Sequence, residues 1–368
     1  MSALPSGRIK TTAEDFVVDE IPAYEPSGSG EHLFVRFRKR GLTTDAAVRA
    51  IAGALGVEMR DVGVAGLKDK AAVTTQWISL LARAPDVEAR AVGLALEGIE
   101  VLAARRHGNK LKTGHLKGNA FSIVVRDIEE SARAGVMAAF EGIGKNGVPN
   151  AFGAQRFGRD GDTATQAHAW LTGKGRAPHN PRLRRFHFSA FQSAIFNAVL
   201  DTRVADGTWD RPLEGDLLKK EDTGGLFLCT DVQTDLERAL RGEVCPTGPL
   251  VGDRMRQPEG AARAVEERIA APWLEGVDLH RARSLGEGTR RALRLRVHDL
   301  SVSEVMDRES EPGREQACVL RVRFVLPKGA YATTVLANAV DIVEQVRGAV
   351  NTQSDEGIEE GERAIEGE

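Results

Sequence analysis

Residues 66–77, Gly-Leu-Lys-Asp-Lys-Ala-Ala-Val-Thr-Thr-Gln-Trp, place one carboxylate, Asp69, between Lys68 and Lys70. An exposed aspartate is ionised at neutral pH, and neighbouring ammonium groups favour the anion further. Such an anion suits nucleophilic attack or charge stabilisation. An aspartate in a glycine-led turn is, however, more often a structural residue that hydrogen-bonds its own backbone. The segment alone leaves both interpretations open and favours the structural one.

Several motifs that would indicate other chemistry are missing from the sequence. There is no Gly-x4-Gly-Lys-Ser/Thr phosphate loop, no complete Gly-x-Gly-x-x-Gly fingerprint, no His-Glu-x-x-His and no paired Cys-x-x-Cys. Nucleotide hydrolysis, dinucleotide redox chemistry and zinc hydrolysis therefore lose their usual sequence support. We expect chemistry that needs neither a cofactor nor a metal.

The chain of 368 residues is long enough for two domains, and its 42% hydrophobic and 28% charged residues are ordinary for a globular protein. The first residues lack the apolar stretch of a signal peptide, and no apolar run reaches the length of a membrane span. We expect a cytoplasmic protein that does not bind membranes. Its three separated cysteines, Cys229, Cys245 and Cys318, predict reduced structural thiols.

The formal net charge of −3 is an average over regions of different sign. The tail from Gln353 carries a net charge of −6, which leaves +3 for the rest of the chain, and its composition predicts disorder over 351–368. Two stretches, 105–126 and 163–200, contain several lysines and arginines and no acid. Acid-free basic stretches favour contact with a phosphate backbone, although solvated surface can also have this composition.

Alternating apolar residues predict strands around Leu33–Phe37, Phe121–Val125 and Leu320–Leu326. A helix is predicted from the possible caps Thr43 and Thr44 to Gly56, and a second one after Ser189, with Phe191, Ile195 and Val199 on one face. A third helix is predicted over residues 334–346.

The alternating pattern that predicts strands stops near Pro149 and resumes near Cys318. The intervening sequence predicts helices and loops. This interruption predicts an inserted domain over 149–307. The flanking segments, 1–148 and 308–350, would then form one domain, and 351–368 would be the acidic tail.

Ordered blocks of the sequence resemble the TruD family of tRNA pseudouridine synthases. The blocks are residues 14–20, 28–33, 65–77, 116–121, 148–158, 188–197 and 326–333. Residues 116–121 look like that family's Gly-Asn-x-Phe element, and residues 148–158 look like its Pro-Asn-x-Phe-Gly-x-Gln-Arg-Phe-Gly element. One departure is Ala337-Asn338, which stands where the family often carries an Arg-Glu pair.

The resemblance implies an α/β (α+β) fold, a pseudouridine synthase catalytic domain with a mixed, largely antiparallel sheet that an inserted TRUD domain interrupts. It implies isomerisation of uridine to pseudouridine in tRNA, at position 13, after the base is flipped out of its stack. In that reading Asp69 is the catalytic aspartate, Phe121 stacks on the target base and Asn119 hydrogen-bonds the uracil edge.

For the other candidates, the functional and structural readings stay open. Tyr24 and Phe152 are further aromatic candidates for the pocket, and each could equally be packing. Arg156, with Arg182, Arg184 and Arg185, is a candidate phosphate contact, whereas the ordinary reading is a surface or ion-paired arginine. Glu20, Glu31 and Gln76 lie in family-like blocks, but their chemistry does not distinguish a site from a structural hydrogen bond.

The alternative function is a non-catalytic RNA-binding or RNA-chaperone protein. Asp69 argues against it, because a pure binder of a polyanion has no use for an exposed anion. We therefore expect tRNA as the partner. The sequence leaves the oligomeric state and the identity of the modified tRNAs open.

Overall fold

The structure, a computed structural model, describes residues 3–158, 160–305 and 317–344. The described chain divides into two compact units. The first unit contains residues 3–146 and the described residues from Val297 onwards, and the second contains Gly147–Arg296. The predicted domains of 1–148 plus 308–350 and of 149–307 stay predictions, and the acidic tail of 351–368 lies outside the described residues.

The elements of the first unit before the second unit begins are β1 (Ser6–Ile9), β2 (Phe16–Pro22), β3 (His32–Arg40), α1 (Thr44–Leu55), β4 (Val62–Val64), β5 (Val73–Leu81), α2 (Val87–Val92), β6 (Ile99–His107), β7 (Leu116–Glu129) and α3 (Arg133–Asn146). Those of the second unit are β8 (Val148–Pro149), α4 (Thr163–Leu171), α5 (Pro181–Ala205), β9 (Leu217–Lys220), β10 (Leu226–Leu228), α6 (Val232–Leu240), β11 (Val244–Leu250), α7 (Gly260–Leu274), β12 (Thr289–Ala292) and β13 (Arg294–Leu295). The first unit resumes with β14 (His298–Glu304), β15 (Ala317–Pro327), α8 (Ala332–Leu336) and β16 (Asp341–Glu344). Short 3₁₀ helices cover Ala13–Asp15, Met59–Asp61, Glu130–Ala132 and Ala154–Phe157.

The first unit is built on one mixed sheet, with the strand order β14-β15-β7-β2-β5-β3-β6. Only β2 with β5 and β1 with β16 run parallel among its described strand pairs. The expectation of a mixed, largely antiparallel sheet is confirmed. The strand β14 pairs with β15, so the residues that were predicted to end the inserted domain belong to the sheet of the first unit.

Alternation along β3 sorts its residues onto the two faces of this sheet. Leu33, Val35 and Phe37 pack against α1, which buries Val48 and Ile51 on the same side. The helix starts where the sequence predicted: the side chain of Thr43 accepts a hydrogen bond from the backbone N–H of Ala46. It ends at Gly56, whose φ of 73° is the left-handed conformation that glycine adopts without strain.

The second unit is centred on the helix α5, which packs against α4, α7 and β11. Phe191 and Ile195 are buried on its core face, as predicted. The predicted start is wrong: the helix begins at Pro181, and Asn180 caps it by accepting a hydrogen bond from the N–H of Arg182. Proline at the first helical position needs no hydrogen-bond partner for its nitrogen, so the helix can begin at Pro181.

The helix predicted over 334–346 is also wrong within the described residues. The short helix α8 ends at Leu336, and Asp341–Glu344 form β16 instead. Strand β16 pairs in parallel with β1, so pairing with the distant N-terminal strand overrides the local helical pattern.

The three cysteines are free thiols, as predicted. Burial raises the pKa of Cys229 to about 12 and that of Cys245 to about 11. Both therefore stay protonated at neutral pH, and neither has the ionised sulfur that a nucleophile or metal ligand requires.

Candidate active site

Asp69 lies in the loop between β4 and β5, with its side chain 45% exposed. The Nζ of Lys10 is 3.8 Å from its Oδ2. The same Nζ lies 3.2 Å from a carboxylate oxygen of Glu344 and 4.9 Å from the ring centroid of Phe16. Asp69 is thus an exposed carboxylate with an ammonium group beside it.

The sequence led us to expect this ammonium group on Lys68 or Lys70, and for Lys68 this expectation is wrong. Its side chain is buried, and its Nζ donates a hydrogen bond of 2.9 Å to Oε2 of Glu20. The other oxygen of Glu20 accepts from the backbone N–H of Trp77. Lys68 therefore holds the Asp69 loop onto strands β2 and β5.

Three further buried side chains fix the main chain of this loop. The Nζ of Lys39 donates to the carbonyl oxygens of Leu42 and Asp69 at 2.6 and 2.7 Å. Thr44 accepts from the N–H of Lys68 at 2.9 Å and donates to the side chain of Gln76 at 3.1 Å. Gln76 in turn donates to the carbonyl of Gly66.

Asp69 thus lies on a loop whose main chain is held in place by hydrogen bonds from buried side chains. A reacting group needs this kind of support. Glu20 and Gln76 lie in family-like blocks of the sequence, whereas Lys39 lies outside them. A signal was present for Lys39. It continues the inward-facing alternation of Leu33, Val35 and Phe37, and a lysine at an inward position has to have buried partners.

Phe121 lies on β7 in a group of three aromatic rings. Its ring stacks on Phe324, with centroids 5.3 Å apart and an interplanar angle of 26°, and meets Phe16 edge-on at 6.3 Å. Phe16 and Phe324 are buried, whereas Phe121 is half-buried. Since Lys10 contacts both Phe16 and Asp69, the fold brings Phe121 into the same cluster as the carboxylate.

Asn119 precedes Phe121 by two residues on β7, so both side chains lie on the same face of the sheet. It pairs across the sheet with Glu20 on one side and Leu326 on the other. Its Oδ1 is buried and has no hydrogen-bond partner among the described residues. A buried polar atom without a partner costs about 1–3 kcal/mol, so this amide is suited to bind a ligand.

Tyr24 lies elsewhere. Its ring stacks on His107 at 5.1 Å and contacts Phe34 at 6.3 Å, and its hydroxyl is 3.0 Å from Nδ1 of His115. Phe34 points to the face of β3 opposite Phe37, and Phe37 pairs with Gln76 beneath the Asp69 loop. Burial raises the pKa of the Tyr24 hydroxyl. The structure does not bring this ring to Asp69, and its predicted role in the pocket stays a prediction.

Phe152 and Arg156 belong to the second unit. The Phe152 ring is buried, with the guanidinium carbon of Arg291 at 4.1 Å and that of Arg156 at 5.0 Å, and it meets Phe196 edge-on. Arg156 is 1% exposed and donates to the hydroxyl of Ser189 at 2.7 Å. The predicted roles of both residues in substrate binding stay predictions, and the burial of Arg156 does not fit the alternative interpretation as a surface arginine.

Comparison with known proteins shows which family this chain belongs to. The family model described as tRNA pseudouridine synthase D (TruD) matches residues 5–171 and 174–339. The chain belongs to the TruD family. A curated relative named tRNA pseudouridine synthase D, from Anaeromyxobacter sp. strain Fw109-5, is 47% identical over 90% of this chain and 91% of its own length.

Other TruD relatives are similar over the same length. A tRNA pseudouridine synthase D of Thermus thermophilus is 39% identical over 91% of this chain and 89% of its own. The crystal structure of a protein from Methanosarcina mazei, provisionally assigned as tRNA pseudouridine synthase D (TruD), has a TM-score of 0.78 and 25% identity, covering 92% of this chain and 94% of that chain. The predicted family and fold class are confirmed.

The departure from the TruD pattern at Ala337-Asn338 falls at the end of α8. The side-chain amide of Asn338 donates to the carbonyl of Thr334 at 2.8 Å, which closes the last turn of the helix. Asn338 thus has a local structural role at the end of α8.

Within residues 3–158, 160–305 and 317–344, no cluster of three or more His, Cys, Asp or Glu side chains is arranged to hold a metal ion. Among the helices of these residues, none is both long and apolar enough to cross a membrane.

Proposed function

We propose that this protein is a tRNA pseudouridine synthase, which isomerises uridine to pseudouridine in tRNA, and that its site is position 13. Membership of the TruD family supports the activity. The observation that carries the proposal for the site is the meeting of Asp69, Lys10 and the Phe16–Phe121 ring pair in one cluster.

The reaction breaks the bond between N1 of uracil and C1′ of ribose and forms a bond between C5 and C1′. N1 gains a proton and C5 loses one, so the atoms balance without an oxidant or reductant. We propose that the Asp69 carboxylate is the nucleophile, and the ammonium of Lys10 lies 3.8 Å from it.

The free uracil has to stay bound while it turns. Phe121 has a half-buried ring that is fixed from behind by Phe324, and it offers a surface for base stacking. Asn119 offers an amide with a donor and an acceptor to the uracil edge, and its unpartnered Oδ1 would accept from uracil N3–H. A uridine inside a folded tRNA reaches such residues only after it leaves its stack, which makes base flipping part of the proposal.

The test is release of tritium from unmodified tRNA that is labelled at C5 of uracil. We expect the purified protein to release tritium without added metal or nucleotide. We expect no release from a tRNA in which cytidine replaces the uridine at position 13. Tight tRNA binding without release would contradict the proposed activity.

Replacing the carboxylate tests the role of Asp69. Asp69→Asn keeps the size of the side chain and removes the anion, so we expect the rate of release to fall by about 10⁴-fold or more, as for other essential nucleophiles. Because the loop main chain is held by Lys39 and Thr44, we expect tRNA affinity to change little. Retained turnover in this variant would refute the assignment of Asp69. A cytoplasmic location, where tRNA is modified, belongs to the same proposal.

A further inference from the structure

The two acid-free basic stretches of the sequence have different roles in the folded chain. In 105–126, Arg106 donates to the carbonyl of Ala84 at 2.6 Å and Lys110 donates to that of Arg60 at 2.7 Å. Arg126 makes a double hydrogen bond with the buried carboxylate of Asp15, at 2.9 and 2.8 Å. Half of that stretch's charges therefore hold the fold of the first unit together.

In the other stretch, cations remain on the surface. Lys174 and Arg176 are exposed in the segment before α5, and Arg185 is exposed within the first two turns of the helix. Among the residues that the structure describes, none of these three cations forms an ion pair. We call Lys174, Arg176 and Arg185 the cationic patch.

Many other arginines of the second unit are paired. Seven exposed or half-buried arginines lie next to carboxylates: Arg211 with Asp210, Arg238 with Asp235, Arg241 with Glu243, Arg254 with Glu287, Arg263 with Glu267, Arg281 with Asp278 and Arg283 with Asp253. The three cations of the cationic patch differ from these paired arginines.

The surroundings of the patch add to its positive potential and keep its backbone in place. The first turn of α5 contains no acidic residue, so the partial positive charge of the helix N-terminus is not offset there. Arg184 donates twice to the carbonyl of Pro178, at 3.2 and 3.0 Å, and the backbone N–H of Lys174 donates to the carbonyl of Ala169. Like charges gathered on an ordered segment repel one another, and binding an anion relieves that repulsion.

We propose that the cationic patch binds phosphate groups of the RNA backbone. The partner is RNA because successive phosphodiesters are the anions that fit several separate cations along one segment. The proposal rests on the proposed function for the identity of the RNA. It adds a binding surface in the second unit to the reacting residues of the first.

The experiment compares the salt dependence of tRNA binding in two triple variants of the full chain. Lys174→Gln/Arg176→Gln/Arg185→Gln removes the three cations of the patch. Arg241→Gln/Arg254→Gln/Arg281→Gln removes the same charge from exposed, ion-paired arginines of the same unit. Each protein is titrated with unmodified tRNA at several KCl concentrations, and circular dichroism checks that each one is folded.

We expect the patch variant to bind tRNA about 10- to 100-fold more weakly at ~150 mM KCl. The slope of log Kd against log[KCl] should fall by about 2–3, because each lost phosphate contact lowers it by about 0.7–0.9. The control variant should keep the wild-type slope. An unchanged slope in the patch variant, or an equal fall in both variants, would overturn the proposal.

The single variant Arg176→Gln, with an expected slope change of about 1, gives the same test if the triple variant does not fold. This readout is independent of catalysis. A protein that shows the expected loss of tRNA binding but releases no tritium would contradict the proposed function and would support the patch.

Discussion

Asp69 lies beside a cation that its neighbours in the sequence do not supply. Lys68 and Lys70 made an ionised carboxylate plausible, but the buried Lys68 pairs with Glu20, and Lys10 provides the ammonium group. Lys10 adopts a φ of 58°, a left-handed conformation that costs a non-glycine residue about 1–2 kcal/mol. The surrounding contacts with Phe16 and Glu344 maintain this conformation. The family resemblance, and not the local sequence, made Asp69 the candidate reacting group, while its electrostatic partner depends on the tertiary fold.

Asn119 gives a prediction at the level of a single residue. Its Oδ1 is buried without a partner in the described chain, so binding of the uracil edge should recover a hydrogen bond that the free protein lacks. We expect Asn119→Ala to lower kcat/KM for tritium release by about 10- to 100-fold, which corresponds to a loss of about 1.4–3 kcal/mol. The stability of the free protein should be unchanged or slightly increased, because an unsatisfied buried atom is removed.

Ser122 supplies the matched control, since it lies on the same strand but on the opposite face from Asn119 and Phe121. Ser122→Ala should keep kcat/KM near the wild-type value. Equal losses in the two variants would indicate damage to β7 and not loss of a contact with the base.

Strand β3 shows how far the elements were predictable. Its apolar alternation and the cap and stop signals of α1 are local, and the structure reproduces both. The start of α5 was predicted wrongly because the helix already begins at Pro181. Residues Asp341–Glu344 were predicted to be helical but form a strand, because they pair with β1 near the other end of the chain. For the candidate site, motifs indicated Asp69, Asn119 and Phe121, but the buried anchors come from strands that meet only in the folded sheet.

Lys39 allows the support of the Asp69 loop to be tested at the level of the element. Lys39→Met keeps the length and most of the apolar volume, but it removes the donors to the carbonyls of Leu42 and Asp69. Hydrogen bonds from a charged donor contribute about 1.5–3 kcal/mol each, so we expect a clear loss of stability and a more mobile loop. Activity should fall mainly through kcat, because tRNA contacts elsewhere are retained.

The loop itself can be followed by hydrogen exchange of the backbone amides in residues 66–72, together with chemical denaturation. The control Lys145→Met replaces an exposed lysine of the same unit and should change neither measurement. Unchanged exchange of the loop in Lys39→Met would mean that the other anchors, Thr44 and Gln76, suffice.

At the scale of the whole molecule, charges are used in three ways. Exposed pairs balance the surface, buried pairs such as Arg203 with Asp216 and Arg290 with Glu266 bridge elements of the second unit, and a few cations have no described partner. Net charge near zero hides this distribution, which is why the formal charge of −3 excluded no polyanionic partner. Exposed pairs contribute little to stability, whereas a buried charge that loses its partner is costly.

The buried pair of Arg290 and Glu266 gives a prediction of how stability depends on pH. Burial raises the pKa of Glu266, and Arg290, whose Nη1 donates to it at 2.7 Å, opposes that rise. In Arg290→Met the opposing effect is lost, so the pKa of the folded state rises further above the ordinary glutamate value of 4.5. The folded state then binds a proton that the unfolded state releases, and stability must fall as the pH increases above that value. We expect a loss of about 3–5 kcal/mol at pH 8 and a smaller loss at pH 5.

Urea denaturation at both pH values, followed by tryptophan fluorescence, measures this difference. Trp170, Trp209 and Trp273 lie in the second unit, so fluorescence reports mainly on the unit that contains the pair. Arg241→Met, which breaks an exposed pair in the same unit, should cost less than about 1 kcal/mol at either pH. If Arg290→Met loses the same stability at pH 5 as at pH 8, then Glu266 does not take up the proton, and the missing packing of the arginine accounts for the loss.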